Sequence, residues 1–176
     1  MLGITRGGTY FRVFKPDWDD PLDTSFSREI GGRWNAPGLF GALYLNATRT
    51  VAAANARAQH RGRAIGLLDL RPERRPRLLQ VHVPRCTVLD AVRPEGLRAV
   101  NLPANYPWRV GPERCRPIGL RAYRRGDLRG IASRSAAECS ATDWLGEELA
   151  WFDKSPSLRE SGPRRDFELW YPDAIP

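Results

Sequence analysis

The chain has 176 residues, a formal net charge of +8 and six tryptophans, enough length and apolar content to bury a core without disulfide staples. Its three cysteines (Cys86, Cys115, Cys139) and two histidines (His60, His82) show no metal-ligand spacing, which argues against a metal site and fits a reducing cytoplasm. No stretch is apolar for long enough to span a bilayer and none near the start reads as a signal peptide, so a cytoplasmic location without a membrane partner is expected.

Along the chain, Thr9–Phe14 has the aromatic and β-branched character of a strand, and Lys15–Ile30, rich in Asp, Pro and Ser, reads as a loop. That loop leads into Gly31-Gly32-Arg33-Trp34-Asn35-Ala36-Pro37-Gly38, where two glycines permit a sharp turn and close approach of backbone to a ligand. Ala42–Leu45 is a short strand, and Thr48 is placed to cap an alanine-built helix that runs to Arg61 and carries Asn55. Ile65–Leu70 and Leu78–Val83 read as strands around a proline turn, Val88–Asp90 as a further short element and Pro94–Val100 as a helix. Asn101–Pro112 is a loop bearing Tyr106 and Trp108, and Arg116–Arg125 a helix with Pro117 in its first turn. Gly130–Ala132 is a strand ending near Arg134 and Ser135, and Glu147–Phe152 and Phe167–Tyr171 are the last strand candidates, the former open to a helical reading. The pattern implies one α/β or α+β domain with many short strands over residues 1–176.

Four side chains are candidates for a shared cleft. Arg12 and Arg33 suit a pyrophosphate, the Tyr44 ring suits a planar group, and the Ser135 hydroxyl suits a carboxamide or ribose. Together they match a dinucleotide such as NAD, although no G-x-G-x-x-G joins a strand to a helix, and P-loop and nucleophile-elbow motifs are absent too. The bland alternatives are a strand-end charge for Arg12, a half-buried aromatic for Tyr44, a turn residue for Ser135 and a core indole for Trp34.

The blocks Tyr10-Phe11-Arg12-Val13 and Gly31-Gly32-Arg33-Trp34-Asn35-x-x-Gly38, then Tyr44, the alanine helix and Gly130-Ile131-x-x-Arg134-Ser135-Ala136, resemble the RES-domain toxins of bacterial toxin–antitoxin pairs. That resemblance implies a fold like ADP-ribosyltransferases, a split mixed sheet with an NAD cleft and flanking helices. It implies NAD as substrate, no metal, and cleavage of the nicotinamide–ribose bond with ADP-ribose passed to water, phosphate or a protein. It also implies a cognate antitoxin with a helix-turn-helix domain, assembled with this chain and plugging the cleft, with an acidic or polar face toward the arginines. Carried onto this sequence, the catalytic set is Arg33, Tyr44, Asn55 and Ser135, and the binding set is Arg12, Arg33, Trp34, Tyr44 and Ser135.

Asn55 is a departure, because the family has a glutamate there. A carboxylate opposite the developing oxocarbenium charge favours the transition state, and an amide supplies no such charge. Three explanations stand: a weakened relative that still binds NAD, a deliberately changed position, or a substitute carboxylate among Glu29, Glu138, Glu147 and Glu148. Gln59 and His60, one helical turn beyond Asn55, are further contacts to weigh against ordinary surface roles. The rival functions are a non-catalytic NAD or ADP-ribose module and a nucleic-acid-binding protein. The second rests on charge alone, and nearly all of that charge is arginine, since Lys15 and Lys154 are the only lysines.

Overall fold

The computed structural model describes residues 1–172. Its strands are β1 (Gly3–Phe14), β2 (Ala42–Asn46), β3 (Arg77–Ala91), β4 (Gly130–Arg134), β5 (Glu147–Phe152) and β6 (Arg159–Glu160). Its helices are α1 (Ser25–Ile30), α2 (Arg49–His60), α3 (Pro94–Ala99), α4 (Pro112–Arg124) and α5 (Phe167–Trp170). The strands form one mixed sheet in the order β1-β2-β5-β4-β3-β6, with β3 and β4 parallel and the other neighbours antiparallel. This is the α+β class and mixed sheet with flanking helices that the family resemblance implies. The sheet also curls on itself, because β1 pairs with β3 along nearly its whole length and touches β2 at Phe11 opposite Asn46. The Asn46 amide reinforces that seam by donating to the Phe11 carbonyl at 3.1 Å.

Three apolar clusters hold the layers. Trp34, Phe40, Tyr106 and Phe152 fill one with residues of α3 and α4. Tyr10, Phe14, Leu43, Val81 and Trp151 fill a second within the curl. The third packs Ala52, Ala53 and Ala56 of α2 on Phe167, Trp170 and Tyr171. Small side chains bring α2 close to its neighbours, and the Thr48 hydroxyl caps it by accepting from the Val51 N–H at 3.2 Å.

Several local expectations are corrected. The segments Leu78–Val83 and Val88–Asp90 belong to one strand, β3. The sequence hides this because Pro84 and Arg85 interrupt the apolar run; the register shifts there, between Arg6 and Gly8 of β1, so a proline without an N–H costs no ladder bond. Ile65–Leu70 is not a strand: Ile65 and Leu68 are exposed and Asp69 accepts from the Gly66 N–H to close a turn. Phe167–Tyr171 contains a short helix instead of a strand, which stacks Phe167 on Tyr171. Helix α4 begins at Pro112, so Pro117 lies inside it, and α1 falls within the segment expected to be loop.

Candidate active site

The glycine block folds as a knot around Tyr44. Gly31 has φ of 76°, and its N–H bonds to the Ser27 carbonyl at 2.9 Å. A side chain on Gly32 would collide with the Tyr44 ring, so glycine is required at that position. The Tyr44 hydroxyl accepts from the Trp34 N–H at 2.9 Å and donates to Asn35 Oδ1 at 2.8 Å. Asn35 is buried and gives its own amide to the carbonyls of Ser27 (2.6 Å) and Phe40 (3.0 Å). Burial pushes the Tyr44 phenol up to about 12, so it stays a neutral hydroxyl. Helix α4 clamps the knot from outside, with Arg116 Nε donating to the Gly32 carbonyl at 3.0 Å. Arg33 leaves the knot with Nη1 bound to the Val110 carbonyl at 2.8 Å.

A cavity of about 780 Å³ opens beside this knot, within the usual size of a ligand site. Its walls include Arg12, Tyr44, Asn46 and Glu148 from the sheet, Asn55 and Gln59 from α2, and Gly32 and Arg33 from the turn. The loop after β1 adds Asp17, Trp18, Asp19, Asp20 and Asp23, and α1 adds Phe26 and Ile30. Among the described residues, four aspartates and Glu148 face the cavity against two guanidiniums, so it is not the arginine-rich pocket the resemblance implies.

Beside the seam, Glu148 gathers the polar groups. It lies opposite Asn46 of β2 and Ser133 of β4 in the ladder. Its Oε1 accepts from Asn55 Nδ2 at 2.8 Å and from Ser135 Oγ at 2.6 Å. Asn55 Nδ2 also donates to Asn46 Oδ1 at 2.6 Å. The other candidate carboxylates are elsewhere: Glu147 pairs with Arg6 at 2.9 Å, Glu138 with Arg57 at 2.7 Å, and Glu29 borders a separate depression near α1.

Arg12 reaches the cavity from β1. Its Nη1 donates to the Tyr44 carbonyl at 3.3 Å, its guanidinium lies 5.5 Å from the Trp18 ring centroid, and its buried Nε has no hydrogen-bond partner among the described residues. Burial lowers its pKa to about 10 against the opposing pull of Asp20 and Asp23. Such a cation gains from any anion brought to it.

The structure thus brings Arg12, Arg33, Tyr44 and Asn55 to one cavity. Ser135 is fully buried one hydrogen bond behind the wall, where it supports Glu148. Trp34 does not reach the cavity: it is a core indole whose Nε1 lies 3.3 Å from Ser133 Oγ. Gln59 lines the wall, while His60 borders a neighbouring pocket. Sequence reasoning missed Arg134, buried and donating to the carbonyls of Val92, Ala104 and Tyr106 at 2.8–2.9 Å, which ties down the loop that holds Val110. Its only signal was its place beside Ser135. The aromatic pair Trp18 and Phe26 was also missed, hidden within an acidic loop.

A family model described as the RES domain matches residues 9–171. The chain belongs to the RES domain family. Among solved structures, this RES domain is similar to a chain in the crystal structure of the M. tuberculosis MbcT-MbcA toxin-antitoxin complex, with a TM-score of 0.77 and 21% identity over 99% of this chain and 92% of that one. No curated protein matches the sequence. Among the described residues, no cluster of His, Cys, Asp and Glu is placed to hold a metal ion, and no helix is long and apolar enough to cross a membrane.

Proposed function

We propose that this RES domain is the toxin of a toxin–antitoxin pair, binding NAD in the cavity and breaking its nicotinamide–ribose bond. The observation that carries this reading is Glu148, a carboxylate at the cavity wall with Oε1 held by both Asn55 and Ser135. It stands beside the residue that replaces the family glutamate. Arg12 and Arg33 take the two phosphates, and Tyr44 packs against the nicotinamide ribose. As the glycosidic bond breaks, its electron pair leaves with the pyridine nitrogen and positive charge develops on the ribose. Glu148 opposes that charge. At 4 Å and an effective dielectric near 20, two unit charges attract by about 4 kcal/mol, roughly a thousandfold in rate. The oxygen of water, phosphate or a protein side chain then bonds to the ribose carbon and loses its proton.

A partner antitoxin covering the mouth needs basic or polar groups toward the rim, because Asp17, Asp19, Asp20 and Asp23 stand there. The rival reading, a module that binds NAD without cleaving it, rests on Asn55. Nicotinamide release from NAD separates the two. Release by the unchanged chain and its loss in Glu148→Gln supports Glu148 as the acting carboxylate. Release only after Asn55→Glu supports the binding module.

A further inference from the structure

The cavity has an end that bond cleavage does not use. Helix α1 buries none of its residues, yet its two large apolar side chains, Phe26 and Ile30, are one turn apart and both line the cavity. They are 54% and 52% exposed, although burying either would be favourable. The Trp18 ring stands beside Phe26, with centroids 6.2 Å apart and planes inclined at 53°. Arg12 lies against Trp18, and its buried Nε has no hydrogen-bond partner among the described residues. A flat apolar surface next to an unsatisfied guanidinium fits a flat base next to a phosphate.

We infer that Trp18, Phe26 and Ile30 form the subsite for the purine of the dinucleotide, with Arg12 on the phosphate that follows it. This rests on NAD being the ligand. It assigns the two ends of that ligand: the nicotinamide ribose lies at Glu148, and the adenine lies on α1. Asp19, Asp20 and Asp23 border the same end and place negative charge around the adenosine ribose, where hydroxyls are accommodated and a further phosphate is repelled.

The test is calorimetric titration with NAD, ADP-ribose and nicotinamide mononucleotide. Phe26 is suited to substitution because it is exposed and buries little of the core. Loss of one stacking surface weakens binding about ten- to thirtyfold. Phe26→Ala is expected to weaken NAD and ADP-ribose by that factor and to leave the mononucleotide, which has no purine, within about twofold. Phe26→Tyr, which keeps the ring, restores NAD affinity. Equal affinity of Phe26→Ala and the unchanged chain for NAD overturns the subsite. So does equal weakening of all three ligands. If the unchanged chain binds none of them, the NAD reading itself fails.

Discussion

The two ends of the cavity are built on opposite principles. At the floor, Asn46, Asn55, Ser135 and Glu148 satisfy one another across β2, α2 and β5, and Ser135 is completely buried. Toward the rim, Phe26 and Ile30 are exposed, and beside them the Arg12 Nε has no hydrogen-bond partner among the described residues. A fixed floor suits charge stabilisation, because groups already oriented need no reorganisation as the bond breaks. An unsatisfied rim suits capture, because its side chains gain their partners when a ligand arrives. Substitutions at the floor should therefore lower turnover, and substitutions at the rim should lower affinity.

The sharpest way to break this division is Glu148→Gln, which keeps the shape and removes the charge. Its kcat for nicotinamide release is expected to fall about a thousandfold with KM nearly unchanged. A rise in KM instead would erase the distinction between the ends. Arg12→Met comes next. Losing charged hydrogen bonds to phosphate weakens NAD binding about ten- to hundredfold. Because burial already penalises the Arg12 charge in the free protein, thermal unfolding should show no loss of stability.

Ser135→Ala probes the floor more gently. Removing one hydrogen bond to a carboxylate lowers kcat about tenfold and leaves NAD affinity intact, since Ser135 does not face the cavity. The smallest effect is on stability in acid. Burial works to raise the Asp90 pKa, and the N–H groups of Arg93 and Val92 with the Arg93 guanidinium outweigh it. A depressed carboxylate contributes stability that is present above the ordinary aspartate range and lost as pH falls through its folded value. Chemical unfolding between pH 5 and 2 should show that decline, and Asp90→Asn should flatten it.

The floor and the rim also differ in how far the sequence reveals them. The turn at Gly31–Gly38, the strand with Tyr44 and the capped alanine helix follow from local chemistry: glycine freedom, a capping threonine and helix propensity. Glu148 does not. It is 93 residues from Asn55, and only the β2–β5 register decides that it, and not Glu147, meets the amide. Neighbouring positions on a strand point to opposite faces, so a one-residue uncertainty exchanges the two carboxylates. The rim escaped for a different reason. Asp and Pro dominate residues 15–24, and composition marks that stretch as loop without showing that Trp18 turns back onto Arg12. Ser135 was legible as a residue but not in its role, because its contact with Glu148 depends on two strands meeting.

The most direct measurement is a crystal structure of the Glu148→Gln chain soaked with NAD. Uncleaved NAD should lie with its nicotinamide ribose against residues 55 and 148, its pyrophosphate on Arg12 and Arg33, and its adenine on Phe26. NAD lying reversed, or bound outside the cavity altogether, would contradict the assignment of Glu148 as the carboxylate that drives cleavage.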